Sequence, residues 1–314
     1  MLSGAAARIA LLILLCMLIP ACATWRGPDL DAALSGLPDQ ILLDDVPFFA
    51  QTDFHCGPAA LAGVLKHSGL AIDYDQLVDR VYLPGRQGSL QAEMLAAART
   101  SGRIAYRLPA RIDAVLAELA AGRPVLVLEN QGLLHYPVWH YAVIIGYDGI
   151  QRTLTQHSGE QKAIEQSFRR WQRQWRRAGQ WAMIALAPGQ LPAIEDPRGW
   201  IRAVADFESV ADAGKAYTAW SVTVERWPER PMVWLGLGNS AAGLDDPEGA
   251  MAAYEQALAL EPELAVARFN LAVLALRQHK PCVAVEHLHL LLDHPQLAGQ
   301  AELKLKDARK HCPD

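Results

Sequence analysis

The segment Gln51-Thr52-Asp53-Phe54-His55-Cys56-Gly57-Pro58-Ala59-Ala60-Leu61 decides how this chain is read. Apolar residues continue from it through Leu65 and Gly69 ends the run, so a helix is expected over Cys56–Ser68. Pro58 suits the first turn of such a helix, where its missing N–H leaves no bond unmade. Gly57 removes side-chain bulk beside the sulfur. A helix N-terminus offers unpaired N–H groups and partial positive charge, which lower a thiol pKa and favour thiolate. Gln51, five residues upstream, could join the Cys56 backbone N–H as a donor in an oxyanion hole. The bland alternative is a buried, inert thiol, a common state for cysteine.

A nucleophilic sulfur needs a base. Asp53 and His55 are too local to judge, and His67 lies on the same helix. His140 opens the run His140-Tyr141-Ala142-Val143-Ile144-Ile145-Gly146-Tyr147-Asp148, which reads as a strand. Alternation then puts His140, Ala142, Ile144 and Gly146 on one face, with His140 projecting at the strand edge towards the helix start. There it could stabilise a thiolate and protonate a leaving amine. His135 and His157 read as ordinary satisfied histidines.

Gln five residues before Cys-Gly-Pro-Ala-Ala-Leu, then His-Tyr-Ala-Val-x-x-Gly-Tyr-Asp some 80 to 90 residues on, resembles the bacteriocin-processing, double-glycine-leader peptidases of the papain clan. More narrowly, it is similar to their stand-alone periplasmic lipoprotein relatives that carry tetratricopeptide repeats. The resemblance covers roughly residues 45–190 and implies a papain-like α+β cysteine peptidase domain. It makes Cys56 the nucleophile, His140 the general base and Gln51 the oxyanion donor. The family's third residue, an Asp about sixteen positions after the His, falls here on Gln156, so no carboxylate is present. Gln156 could orient the imidazole through its amide oxygen; His157 or Asp148 are alternatives, or the orienting group is absent.

The organisation follows from periodicity. At roughly 150 residues per domain, 314 residues suggest two domains. Helices are expected at Ser89–Arg99, capped by Ser89, and at Ile112–Ala121. Strands are expected at Pro124–Leu128, Trp139–Tyr147, Thr153–Gln156 and Trp181–Leu186. Helices first and strands later mark an α+β domain over 45–190. Within it, Phe168, Trp171 and Trp175 recur at helical spacing among Arg169, Arg170, Arg173, Arg176 and Arg177. An amphipathic core helix with a solvated basic face is the favoured reading, ahead of an anion, membrane or peptidoglycan contact. From 197 onward the pattern is all helix with a 34-residue repeat: Trp234, Leu237, Gly238, Ala250, Tyr254, Ala257 and Pro262 fit the tetratricopeptide pattern. The expected repeats are 197–230, 231–264 and 265–298, forming an all-α solenoid over 197–314 with a capping helix near its C-terminus.

The N-terminus carries an address. An apolar run from Ile9 to Ile19 is too short to span a bilayer and closes in Leu18-Ile19-Pro20-Ala21-Cys22, a bacterial lipobox pattern. The expectation is a signal peptide over 1–21, lipidation at Cys22, a tether over 22–44, and anchoring to the outer membrane facing the periplasm. In that oxidising compartment Cys282 and Cys312 are the candidates to pair, leaving Cys56 alone. Net charge is −5, with 18 acidic and 12 basic side chains in 191–314, which argues against nucleic-acid binding. No metal or cofactor is implied, since Cys282 and Cys312 lack close Cys/His spacing. Two functions remain in view. One is a lipid-anchored cysteine peptidase, or a related acyl transferase, whose repeats recruit a protein substrate or partner. The other is a catalytically silent adaptor that binds peptides and partner proteins.

Overall fold

The computed structural model describes residues 30–50 and 55–312. The expected signal peptide, Cys22 and Gln51 lie outside the described residues. In chain order the first half contains α1 (Leu30–Leu34), β1 (Gln40–Leu42), α2 (Cys56–His67), α3 (Tyr74–Val81), α4 (Gln91–Thr100), β2 (Ile104–Arg107) and α5 (Ile112–Ala120). It continues with β3 (Val125–Asn130), β4 (Trp139–Asp148), β5 (Thr153–Ser158), β6 (Gln161–Ser167), α6 (Phe168–Arg177) and β7 (Ala182–Leu186). The strands form one antiparallel sheet in the order β2-β7-β3-β4-β5-β6, and β1 pairs with the far half of β4.

The helix that carries Cys56 is buried on all sides. Gly57 through Val64, and Leu65 after them, are inaccessible to solvent. A helix this apolar all round belongs in a core rather than on a surface. It packs with α3 and α4 on one face of the sheet, against Leu126, Val143, Ile145 and Met183. Lys66 and His67 mark its exit to solvent, and Gly69 takes a left-handed φ of +88° just beyond.

The other sheet face holds the aromatic helix α6. Phe168, Trp171 and Trp175 are buried there, the two indoles stacked at 4.8 Å, while Arg169, Arg173 and Arg176 face solvent. The amphipathic reading of this helix describes what it does.

Six further helices form pairs: α7 (Pro197–Glu208) with α8 (Ala213–Arg226), α9 (Pro231–Gly243) with α10 (Pro247–Leu260), and α11 (Ala265–Arg277) with α12 (Pro281–His289). A last helix, α13 (Ala298–Arg309), follows. Both the first and the second helices of each pair start at intervals of 34 residues. Asp196, Asp212 and Asp246 cap α7, α8 and α10 by accepting backbone N–H bonds at 2.9–3.1 Å. A Cβ at Gly238 would collide with the Tyr254 ring, so close approach of α9 and α10 requires a residue without one. Cys282 and Cys312 form a disulfide that ties α12 to the end of the chain beyond α13.

Several expectations need correction. The segment expected as a tether supplies α1 and the strand β1 from residue 30 onward, because Ile41 and Leu43 find apolar partners in the core. Ser89 does not cap α4; the helix begins at Gln91, and the serine packs against Gly57 instead. The strands β2 and β6 were not foreseen. The first has only four residues, and the second, Gln161–Ser167, is a mostly exposed polar edge with little apolar alternation.

Candidate active site

Cys56 is the first residue of α2, and the N-cap residue His55 makes no side-chain cap hydrogen bond. Its sulfur therefore meets backbone N–H groups: those of Cys56 and Gly57 from the helix, and that of Tyr141 from β4. Gly57 is required here, since a Cβ would stand 2.5 Å from Ser89 Oγ. The sulfur borders a cleft of about 600 Å³ lined by the Arg86–Gln91 segment, Leu128, Trp139, Tyr141 and Ala178.

The structure overturns the expected ionisation of the thiol. Burial pushes the Cys56 pKa up, and this outweighs the three backbone N–H groups that pull it down. A helix terminus contributes only partial charge, whereas loss of water from a thiolate costs more. The resting group is a thiol.

His140 lies at the start of β4, next to Tyr141. Its Nε2 is 2.9 Å from Ser158 Oγ on β5. Burial lowers its pKa to about 4, so the ring is neutral near pH 7. Strand alternation places His140 on the face of Ala142 and Ile144, which belong to the core away from α2. Tyr141 and Val143 face α2. Cys56 consequently approaches β4 at the Tyr141 amide, where β5 has ended. Among the described residues no hydrogen bond joins Cys56 to His140; they are neighbours through that one backbone unit.

The remaining candidates fall elsewhere. Gln156 pairs with Ile144, four residues along β4 from His140, roughly 13 Å away at strand spacing. Its amide donates to Glu129 instead, so the hydrogen-bond partner of His140 is Ser158 and not Gln156. Asp148 sits at the far end of β4, accepting from Gln40 and Gln151. His157 is fixed between Val46 O and the Ala163 N–H, each at 3.1 Å, as a satisfied core histidine. His135 lies in the exposed β3–β4 hairpin, and His67 contacts Gly122 O at the other end of α2. Gln51 is not among the described residues. Counting sixteen residues from His140 pointed to Gln156, but the pairing partner of Ala142 is Ser158, two residues further on. Counting along paired strands rather than along the chain would have found it.

This arrangement is that of a peptidase-like domain with a cysteine at a buried helix tip and a histidine on the neighbouring strand. Residues 43–183 match the Peptidase_C39 like family, which accounts for the sheet domain and leaves the helical half outside the match. Among solved structures, a C39-like peptidase candidate from Bacillus anthracis aligns at 16% identity with a TM-score of 0.40. That alignment covers 48% of this chain and 98% of the other. Two structures of MamA align at 15% identity with TM-scores of 0.31 and 0.29, each over 37% of this chain and over 69% and 78% of theirs. A search of curated proteins gave no significant match.

Proposed function

We propose that the protein is a cysteine peptidase, lipid-anchored through Cys22 at the periplasmic face of the outer membrane, with its repeats recruiting a protein substrate or partner. The observation that carries this reading is the Tyr141 amide. It donates to the Cys56 sulfur, and the adjacent His140, which leaves β4 on the other face and is held through Nε2 by Ser158, has to bring Nδ1 past the strand edge to take the thiol proton.

Because both groups rest neutral, the reaction starts from thiol and imidazole rather than from an ion pair. As a substrate carbonyl seats in the Cys56 cleft, the S–H proton passes to His140 Nδ1 and sulfur bonds to the carbonyl carbon. The Cys56 N–H is the backbone donor to the developing oxyanion, and the sequence resemblance assigns Gln51 as the second donor. Collapse breaks the C–N bond, and the imidazolium gives its proton to the departing amine. Water then attacks the thioester with His140 accepting its proton; acid and thiol are released. Ser158 orients the ring but brings no negative charge, so it cannot hold up the His140 pKa as a carboxylate would.

A second reading is a silent adaptor, favoured by the lack of a direct Cys56–His140 bond and by the burial of both groups. Peptide mass spectrometry of periplasm from cells carrying wild type or Cys56→Ala separates the two. A peptidase predicts peptides that vanish with the sulfur. An adaptor predicts identical peptide profiles and an unchanged phenotype.

A further inference from the structure

Two fully buried carboxylates in the sheet domain are treated differently. Glu118 on α5 pairs with Arg123 at 2.6 Å and accepts the Ala193 N–H at 2.8 Å. Glu129 on β3 is equally buried, at 0% exposure, yet no ion pair among the described residues includes it. Its oxygens accept from neutral amides, those of Gln131 at 3.3 Å, Gln166 at 3.5 Å, and Gln156. Arg170 lines the same cleft and attracts it, yet burial still holds its pKa up. A carboxylate removed from water without a direct ion pair is a costly arrangement.

Two further acceptors beside it have no donor among the described residues. Among the described residues Gln156 Oε1 and Gln174 Oε1 are unpartnered, in side chains 1% and 9% exposed. The Gln156 amide is oriented by its N–H bond to Glu129, so its orphaned atom is the carbonyl oxygen. Glu129, Gln156 and Gln174 line one polar cleft of about 540 Å³ between β3, β5, β6 and α6. Ser158 lines the same cleft and is the residue that holds His140.

A buried carboxylate without an ion pair, attracted only at longer range by Arg170, and two carbonyl oxygens lacking donors among the described residues are the complement of a positively charged group with several N–H donors. A neutral polyol would supply donors and leave the charge uncompensated; an acidic group would be repelled. We propose that this cleft is a specificity pocket for a cationic side chain, ammonium or guanidinium, of a peptide substrate. Because Ser158 joins the cleft to His140, the ring that protonates the departing amine, the cationic residue belongs on the leaving-group side of the scissile bond. That placement rests on the peptidase reading; binding of the cation does not.

The test has a binding arm and a cleavage arm. Two synthetic decapeptide pools, degenerate except for a central lysine in one and acetyl-lysine in the other, are offered to Cys56→Ala protein and retention is quantified by mass spectrometry. The lysine pool should be retained about tenfold or more over the acetylated one, and Glu129→Gln or Gln174→Met in the same background should each erase the difference. Equal retention of the two pools, or a preference that survives both substitutions, overturns the proposal. In the cleavage arm, wild type should cut the lysine pool with lysine after the scissile bond, and Glu129→Gln should lose that bias while still cutting. Lysine-selective retention with no cleavage by wild type would keep the pocket and refute the peptidase reading. Cleavage with no lysine bias would do the reverse.

Discussion

The first repeat and the later ones are built alike but held differently. Trp200, Phe207 and Trp220 of α7 and α8, with Val233 of α9, lie in the same apolar cluster as Ile104, Val125 and Ile144 of the sheet domain. Polar contacts reinforce the seam: Tyr106 donates to Asp196 at 3.0 Å, and Arg99 pairs with Asp206 at 2.5 Å. The later repeats have clusters of their own, one around Tyr254 and Leu271 and one around Leu288 and Leu305. Sequence period divides the chain near residue 197, whereas packing divides it about one repeat later. A repeat that cannot bury its face alone borrows the neighbour available, and here that neighbour is the sheet domain.

Four perturbations sharpen or break this division. Trp200→Ala removes a fully buried indole from the seam and should cost about 3–5 kcal/mol. In hydrogen exchange monitored by mass spectrometry, protection should fall together in β2, α5 and α7. Loss confined to α7 would show that the first repeat is an independent unit. Removal of the Cys282–Cys312 bridge opens a loop of 30 residues and should cost about 3–4 kcal/mol. That loss should appear in α12 and α13 alone; a parallel loss in the sheet would contradict the division.

Acid should act on the sheet domain through His140. Its folded pKa of about 4 lies below the ordinary 6.5, so the unfolded chain binds more protons across that window. Stability therefore falls as pH drops from 6.5 to about 4, by up to about 3 kcal/mol from this residue. Denaturant titrations at pH 7 and 4.5 should show a smaller acid effect in His140→Gln than in wild type. His157 and His287 are also held low by burial and retain their share in both proteins. The smallest effect expected is that of Ser158→Ala, which frees the imidazole without removing a charge. Turnover should fall about tenfold with the repeats untouched.

Much of this molecule was legible before any coordinates. The 34-residue period marked the C-terminal half as helical because small and aromatic residues recur with the packing itself. The buried strand Trp139–Asp148 and the helix from Cys56 announced themselves by apolar runs bounded by Gly and polar residues. The tether was misread because local composition around Gly36 and Pro38 does not report that Ile41 lies beside Tyr147, more than a hundred residues away. The thiol was misread because a helix terminus is visible in sequence and desolvation is not. Gln156 was misread for a related reason: distance along a chain is not distance across paired strands.

A peptidase of this design requires that Cys56 becomes acylated and that His140 drives release of the acyl group. Purified protein mixed with an N-acetyl amino-acid p-nitrophenyl ester, followed by intact-mass and peptide mapping, tests this directly. The account predicts one acyl group on Cys56, its hydrolysis slowed about a hundredfold or more in His140→Ala, and a deacylation rate that falls as pH drops through about 4. An acyl group found elsewhere, none at all, or hydrolysis indifferent to His140 would contradict it.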